Sequence, residues 1–551
     1  MGRNKKKVTQ TTNMKDSGFQ RARVNINNLN IPSKVLEELN KSYSNFQPYF
    51  PLLERFRGGD GAAPISYTSG LVASIPFPEG DDDNVYVKVI HLLNPTDWIQ
   101  GNYSFPKDVS MPGLQDSWGT VVDKLQCEEN QAYVDALSVS LLSQLAEQNL
   151  SPHFIRYYGA ICAKAEKYCY NMNDDYQSYR NTKWFWKQYE SNQFKIRIFS
   201  DEKKRFLNDD EVAPFLLKPD EADLIDDDDD EEILDDISDN NDNTNREVEL
   251  ESVGSFSTNS GSVQSILRIS PSNQTLQSGS EASSEMDGYD IFAEFTGMPV
   301  MLIFMEKMEE SIDSLLGKDT YDENKWTAWI WQIICALIQA FSFIELYHND
   351  LHGNNILYSS TTDEFIYYRT KDNQVWRVPT FGKVFRIIDF GRAILRAENQ
   401  LIISDDFHEG NDAAGQYNFG SIRDPKEAAI PPNQSFDLAR LAVSIFDTLF
   451  VETPPAKGST TVLSREGNWT VKETVSPLYN LLWTWMIDIN GRNILKSEDG
   501  EERYPGFDLY KHIAANCKNA APKDQLRKPI FEKFKYTGIV PEGVIVYPLF
   551  I

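Results

Sequence analysis

Cysteine is scarce in this 551-residue chain, and the chain has neither an excess of basic charge nor a long apolar run. The five cysteines are odd in number and show no C-x-x-C spacing, so neither a disulfide framework nor a zinc site is predicted. No uninterrupted apolar segment approaches the length needed to span a bilayer, so no membrane partner is expected. These absences predict a soluble chain in a reducing, intracellular compartment.

Acidic residues outnumber basic ones by 82 to 54, which gives a formal net charge of −28. Fourteen Asp or Glu and no Lys or Arg lie in 220–242, so half of the excess sits in one short run. A protein that neutralises nucleic-acid phosphates needs a basic face, and this composition predicts no nucleic-acid partner. A basic protein substrate is the expected partner.

Two parts of the chain are predicted to lack stable structure. Residues 1–40 are polar, and we interpret them as a flexible basic arm. The start of the chain has no apolar run behind it, and Lys6 stands where N-myristoylation requires Ser or Thr, so neither a secretion signal nor a lipid anchor is expected. Residues 222–286 are acidic and rich in Ser, Asn and Gly, which predicts disorder. Ser238 and Ser252 there are either phosphorylation sites or part of a solvated spacer.

Two stretches carry the residue types that phosphoryl transfer from a magnesium nucleotide requires. One runs from His348 to Asn355 and contains Asp350, and the other is 387–391 with Asp389 at its centre. The reaction needs a carboxylate at the attacking hydroxyl, which Asp350 would supply. It also needs oxygen ligands on the metal, which Asn355 and Asp389 would supply.

This pair of motifs resembles the H-x-D-x-x-x-x-N catalytic loop and the D-F-G of the protein kinases. The resemblance implies an α+β, bilobal protein-kinase-like fold. The β-rich small lobe would span 41–306, with the acidic insert inside it, and the mainly helical large lobe would span 307–551. ATP and Mg²⁺ are the implied ligands, and transfer of the γ-phosphate of ATP is the implied reaction.

The alternating, β-branched segment 85–90 predicts a strand. Within it, Val85-Tyr86-Val87-Lys88 resembles the kinase V-A-I-K, whose lysine binds the nucleotide phosphates and serves catalysis. The alternative is a surface lysine on an edge strand.

The acid that orients such a lysine normally lies on the following helix. Apolar residues at helical intervals predict that helix over 132–145, and Asp135 stands at about the right place. Glu128 and Glu129 compete for the role.

The glycine-rich loop that covers the nucleotide is the least well matched kinase feature. A match that ends on Gly70 and Val72 lacks the other glycines, and Gly59-x-Gly61 is an alternative. The next kinase features along the chain, the fifth strand and the hinge, match better. Residues 300–308 resemble the fifth strand and hinge, where the backbone of Glu306 to Met308 would hold adenine.

Three features of the large lobe follow from pattern. The segment 326–347 is apolar nearly all round and predicts a buried helix. Two strand-like runs flank Asp372-Asn373 and predict a hairpin over 365–378. A helix over 435–446 resembles the central helix of a kinase large lobe, whose first-turn acid, here Asp437, braces the catalytic loop. The alternative is that Asp437 is simply an acid at the N-terminus of a helix, where it favours the helix dipole.

Within the kinases, the chain resembles the serine/threonine kinases of large cytoplasmic DNA viruses and the haspin-like kinases. His352 after Asp350-Leu351, the long hairpin before Asp389 and the lack of an A-P-E motif carry this resemblance. It implies a serine/threonine protein kinase located in the host cytoplasm or the virion.

Two other functions stay open. The Asp350-Leu351-His352 pattern also occurs in small-molecule phosphotransferases of the aminoglycoside and choline kinase type. A pseudokinase scaffold is the third possibility, which the poorly matched glycine loop favours. In addition, Asn349 replaces the arginine that binds a phosphorylated activation loop, which predicts activity without that phosphorylation.

Overall fold

The computed structural model describes residues 23–56, 69–72, 77, 85–103, 111, 120–200, 202–219, 224–225, 268–271, 288–316, 321–418, 430–455, 457, 460–464, 467–471, 473–497 and 502–549. Within these residues the protein is a mixed α+β structure with several small sheets, as predicted at the level of fold class. Its five cysteines are all unpaired.

The helices, labelled in chain order, are α1 Ser33–Leu39, α2 Pro95–Gln100, α3 Thr120–Gln126, α4 Gln131–Glu147, α5 Asn173–Tyr179, α6 Lys183–Glu190, α7 Asp209–Val212, α8 Glu323–Ile344, α9 Phe436–Leu449, α10 Pro477–Trp485, α11 Asp508–Asn516 and α12 Pro522–Gln525. Short 3-10 helices are Pro51–Phe56, Ala213–Leu216, Ile312–Leu315, Gly353–Asn355, Asp405–Phe407 and Pro529–Phe534.

The strands are β1 Ile26–Asn28, β2 Tyr43–Gln47, β3 Ser69–Leu71, β4 Val85–His91, β5 Tyr157–Ala165, β6 Tyr168–Asn171, β7 Lys195–Ser200, β8 Arg205–Phe206, β9 Arg268–Pro271, β10 Tyr289–Phe295, β11 Met298–Glu306, β12 Glu310–Ser311, β13 Ile356–Ser360, β14 Phe365–Arg369, β15 Val375–Pro379, β16 Lys383–Ile387, β17 Ile394–Ala397, β18 Gln400–Ile403, β19 Thr460–Ser464, β20 Gly467–Val471, β21 Lys535–Tyr536 and β22 Val546–Pro548.

A five-stranded sheet in the order β2-β5-β11-β4-β9 forms the centre of the N-terminal half. Strand β11 is apolar and almost wholly buried, because it pairs antiparallel with β5 on one side and β4 on the other. Its register places Ile303 opposite Lys88 and Glu306 opposite Val85. Helix α4 packs on β5 and β11, which fixes that helix relative to Lys88.

Helix α4 is buried on every side along most of its length. Its first turn is capped by Asn130, whose side chain accepts the N–H of Ala132. The cap satisfies a backbone donor that has no partner within the helix, and so it defines where the helix begins. The predicted start at Ala132 is therefore correct to within one residue.

The predicted apolar helix over 326–347 corresponds to α8. Asp322 caps its start by accepting two backbone N–H groups, and Glu345, with a φ of 47°, ends it in the left-handed region. Among the described residues it is the one helix long and apolar enough to cross a bilayer, but 89% of its most apolar window is buried inside the protein. Packing within the protein thus accounts for its composition.

The predicted hairpin over 365–378 is confirmed. Strands β14 and β15 pair antiparallel, with Tyr367 opposite Arg377, and Asn373 in the turn has a φ of 68°. The C-terminal strands β21 and β22 extend this sheet from both edges. The hairpin therefore enlarges the C-terminal half without separating β13 from β16, which remain paired in register.

The predicted boundary of the flexible arm at residue 40 is wrong. Within it, β1 pairs with β3, and α1 buries Val35 and Leu39. Composition could not show this, because the partner of β1 lies more than forty residues further along the chain. Residues 1–22 lie outside the described residues.

The chain between β5 and β11 contains a second sheet, in the order β6-β10-β7-β8, together with α5, α6 and α7. Most of the stretch predicted to be disordered, 222–286, and both of its serines lie outside the described residues. Of that stretch, 224–225 and 268–271 are described, and 268–271 is β9, which pairs parallel with β4.

Candidate active site

Lys88 lies on β4 between two carboxylates. Its Nζ is 2.7 Å from Oδ2 of Asp135 and 2.8 Å from Oδ1 of Asp389. Burial alone would lower the pKa of this ammonium group, but the two carboxylates outweigh burial and raise its pKa above the usual value. The lysine is therefore a fixed positive charge, although its side chain is only 8% exposed.

Asp135 joins two parts of the site with one carboxylate. Oδ2 binds Lys88, and Oδ1 accepts the backbone N–H of Phe390 at 2.8 Å. The competing acids Glu128 and Glu129 both pair with Arg55 instead. Of the three acids considered from the sequence, the structure brings Asp135 to the lysine.

Asp389 follows β16 and has a φ of 64°, a conformation that residues with a side chain rarely adopt. Such conformations are concentrated at functional sites, where the surrounding structure maintains them. Here the N–H of Ile388 donates to the carbonyl of Asn355, and Lys88 holds the carboxylate. Burial raises the pKa of Asp389, but the neighbouring Lys88 more than offsets this and lowers its pKa overall, so the group is ionised.

The loop from His348 to Asn355 is held by Asp437 in the first turn of α9. Its carboxylate accepts the backbone N–H of His348 at 3.1 Å and of Asn349 at 2.8 Å. This is the contact predicted for Asp437. The imidazole of His348 reaches the carbonyl of Ile388 at 2.9 Å, which ties this loop to the segment that carries Asp389.

Asp350 projects from this loop beside Tyr510, Arg392 and His352. Its Oδ1 accepts a hydrogen bond of 2.9 Å from the hydroxyl of Tyr510, and its Oδ2 is 3.8 Å from Arg392 and 4.0 Å from His352. Burial would raise the pKa of Asp350, but Arg392 and the other neighbouring cations lower it to about 2. Asp350 is therefore a carboxylate at neutral pH and an available proton acceptor.

Asn355 links the loop that carries Asp350 to the segment that carries Asp389, because its backbone carbonyl accepts the N–H of Ile388. Its Nδ2 contacts the carbonyl of Asp350 at 2.9 Å and Nε2 of His352 at 3.1 Å. Burial lowers the pKa of His352 to about 4, so its imidazole is neutral and can accept from the amide. Asp350 and Asp389 are close enough that repulsion from Asp350 acts to raise the pKa of Asp389. The two acids, 39 positions apart in the chain, thus meet in one site.

Asn355 and Asp389 have the chemistry of a Mg²⁺ site. Oδ1 of Asn355 accepts no hydrogen bond from any described residue, because both of its side-chain contacts use Nδ2. The described residues contain no group of three or more His, Cys, Asp or Glu side chains that could hold a metal. Mg²⁺ usually takes one or two protein ligands and completes its shell with water and phosphate oxygens, so this pair fits that ion.

The predicted hinge lies at the end of β11. Glu306 lies three residues further along β11 than Ile303, the residue paired with Lys88. This is a distance of about 10 Å along the strand. Arg386 on β16 reaches the two ends of the predicted hinge, with Nη1 3.3 Å from Sδ of Met308 and Nη2 4.0 Å from Oε1 of Glu306. The hinge and the segment leading to Asp389 are therefore neighbours.

The structure does not bring Gly70 and Val72 to this site. Strand β3 pairs with β1, and a Cβ on Gly70 would meet the carbonyl of Pro48, which follows β2. In the sheet, β5 and β11 separate β2 from β4, which carries Lys88. The assignment of Gly70 and Val72 to a nucleotide-covering loop is therefore corrected. The alternative pair, Gly59 and Gly61, lies outside the described residues.

Asn349 has an internal role that the sequence did not reveal. It is fully buried, its Nδ2 donates to the carbonyl of Arg392 at 3.0 Å, and its Oδ1 accepts from the hydroxyl of Tyr417 at 2.8 Å. Both ends of the amide are therefore used to connect the loop from His348 to Asn355 to the chain that follows Gly391.

That following chain is fixed to α4 by Asp405. Its Oδ1 accepts the N–H of Gln131 in the first turn of α4, at 2.9 Å, and its Oδ2 binds Lys124 at 2.7 Å. Next to it, Asp406 pairs with Nε of Arg392 at 2.7 Å. Sequence reasoning missed Asp405, Arg392 and Tyr510. Only Arg392 carried a signal, since it directly follows the Asp389-Phe390-Gly391 motif.

No protein-family model matches this chain, and no curated protein matches it.

Proposed function

We propose that this protein is a serine/threonine protein kinase with a bilobal, kinase-like fold, which transfers the γ-phosphate of ATP to a basic protein substrate. One observation carries the proposal. Lys88 is held between Asp135 and Asp389, in a site that also contains Asp350 and Asn355. A charged lysine, a proton acceptor and an oxygen-ligand pair are the groups that phosphoryl transfer requires.

In this proposal the nucleotide lies between the hinge and Lys88. The backbone of Glu306 to Met308 would hold adenine, and the ammonium of Lys88 would neutralise the phosphates. Asn355 and Asp389 would hold Mg²⁺, which neutralises charge on the β- and γ-phosphates when it is bound. Lys88 enters the reaction already charged and oriented, so little reorganisation is needed when the phosphates bind.

Asp350 would orient the acceptor hydroxyl and take its proton. The hydroxyl oxygen forms a bond to the γ-phosphorus, the bond from that phosphorus to the bridging oxygen breaks, and ADP leaves with the electron pair. Burial would raise the pKa of Asp350, but its basic neighbours lower the pKa to about 2. A carboxylate with so low a pKa is a weak base, so its main contribution is to orient the acceptor hydroxyl. This suits a loose transition state in which the acceptor loses its proton late.

The protein is expected to be active without phosphorylation of the segment after Asp389. The described part of that segment is already fixed, since Asp405 binds Lys124 and the start of α4. In addition, Asn349 leaves no arginine in the loop to bind a phosphate. Phosphatase treatment should therefore leave the rate of phosphate transfer unchanged. The measurement is an assay of treated and mock-treated protein, and loss of activity after treatment would contradict the expectation.

A second candidate is a small-molecule phosphotransferase. The contact between His352 and Asn355 favours it, because His352 stands where serine/threonine kinases place a lysine and is neutral here.

One assay separates the candidates. The wild-type protein is incubated with Mg²⁺ and ATP labelled at the γ-position, and with either a mixture of basic proteins or a mixture of small alcohols and amino sugars. Label on Ser or Thr of protein supports the kinase, and label on small molecules alone supports the alternative. No label in either mixture would refute both and leave a scaffold role.

A further inference from the structure

Tyr510 lies on α11, 160 positions after Asp350 in the sequence, and its hydroxyl donates to Oδ1 of Asp350 at 2.9 Å. Tyr510 is 3% exposed. Burial raises the pKa of this phenol, so the hydroxyl keeps its proton and acts as a donor at neutral pH. A hydrogen bond from a buried donor to an ionised carboxylate is among the stronger kinds in proteins.

The ring of Tyr510 has little freedom to turn. It stacks on Phe507 at a centroid distance of 5.2 Å and packs against Phe436 at 5.9 Å. The guanidinium of Arg440 lies 4.9 Å from the ring centroid, and that of Arg392 lies 5.9 Å from it. These four neighbours fix the direction in which the hydroxyl points.

The two oxygens of Asp350 are therefore unequal. Oδ1 is engaged by Tyr510, whereas Oδ2 accepts no hydrogen bond from any residue in the described part of the chain. The nearest basic side-chain nitrogens belong to Arg392 at 3.8 Å and to the neutral His352 at 4.0 Å, both beyond hydrogen-bonding distance. Oδ1 is therefore held by Tyr510, and Oδ2 is available to accept a hydrogen bond from an incoming hydroxyl.

We propose that Tyr510 is a positioning residue, which anchors Oδ1 of Asp350 so that Oδ2 faces the acceptor hydroxyl. This inference rests on the proposed phosphotransferase function. Tyr510 would act on the chemical step through Asp350 and would not contribute to nucleotide binding, because Lys88, Asp135 and Asp389 make no contact with it. A carboxylate free to rotate would spend less time in the productive orientation.

The test is Tyr510→Phe, which removes the hydroxyl and keeps the ring. We expect kcat to fall roughly 10- to 100-fold, the range for loss of a hydrogen bond to a charged group. The KM for ATP should not change. Tyr504→Phe is the matched control, because that ring stacks on His512 of the same helix and does not reach Asp350, and its kcat should equal that of the wild type.

A second readout separates positioning from simple packing. In an Asp350→Asn background, Tyr510→Phe should cause no further loss, because the group through which it acts is already gone. Additive losses would overturn the proposal, as would a wild-type kcat for Tyr510→Phe alone. Should the Phe variant unfold in a thermal melt, Tyr510→Met offers similar apolar packing without the hydroxyl, and the same expectations apply.

The two proposals fail differently. A wild-type protein that transfers no phosphate to any acceptor would refute both the phosphotransferase function and the role of Tyr510. An active wild type with an equally active Tyr510→Phe variant would refute the role of Tyr510 alone.

Discussion

Asp350→Asn is expected to reduce kcat by roughly 10²- to 10⁴-fold, the range for loss of a side chain positioned to orient and deprotonate the attacking group. The amide cannot take a proton from the acceptor, and it removes the negative charge that faces Arg392 and His352. ATP should bind nearly as well as to the wild type, because Lys88 and its two carboxylates are unchanged. The measurement is steady-state transfer of labelled phosphate, paired with calorimetric binding of ATP.

Asp447→Asn is the control for this variant. Asp447 lies on α9 and pairs with Lys496 at 3.1 Å on the surface, with 45% of its side chain exposed. Surface pairs of this kind contribute little to stability, so the control should keep wild-type activity. An Asp350→Asn protein that transfers phosphate as fast as Asp447→Asn would exclude Asp350 from catalysis.

Asp389→Asn is expected to abolish transfer and also to weaken binding of ATP in the presence of Mg²⁺. The variant removes one of the two carboxylates that hold Lys88 and the only charged member of the proposed metal pair. Loss of one preorganised electrostatic group commonly costs roughly 10²- to 10³-fold in kcat. Here the loss should be larger, because two functions depend on the same carboxylate.

The contrast between the two variants is the informative result. Asp350→Asn should lose phosphate transfer but keep ATP binding, whereas Asp389→Asn should lose phosphate transfer and also bind ATP more weakly. If Asp389→Asn bound ATP and Mg²⁺ as tightly as the wild type, Asp389 would not be a metal ligand.

The prediction that Lys88, Asp350, Asn355 and Asp389 meet came from the resemblance of their motifs, in this order, to those of the protein kinases. Short-range patterns predict the strand that carries Lys88 and the helix that precedes the His348–Asn355 loop, but they do not show that these elements converge. The contact of Asp437 with the loop was likewise implied by the kinase resemblance, because the helix pattern by itself shows only a first-turn acid.

The choice between Asp135 and its neighbours Glu128 and Glu129 needed the structure. All three lie near the start of α4, and spacing does not separate them. Arg55, more than seventy residues earlier in the chain, pairs with the two glutamates and leaves Asp135 to face the lysine. Contacts at that sequence separation leave no local pattern.

Long-range contacts also explain why the sequence misplaced Gly70 and did not reveal the contact of Tyr510. Gly70 matched a short glycine pattern, but its position is decided by pairing of β3 with β1. Tyr510 lies in a helix whose periodicity indicates only packing, and its contact with Asp350 depends on how α11 docks against α9. A tyrosine that packs and a tyrosine that also donates to a carboxylate have the same sequence signature.

The most direct test of the central claim is calorimetric titration of the wild-type protein with ATP, with Mg²⁺ present and with Mg²⁺ removed by a chelator, alongside Lys88→Met. The claim is that Lys88, Asp135 and Asp389 form one site for a magnesium nucleotide. The wild type should bind one ATP per chain, more tightly with Mg²⁺, and Lys88→Met should bind far more weakly under both conditions. A Lys88→Met protein that binds ATP as the wild type does, or a wild type that binds none, would contradict the claim.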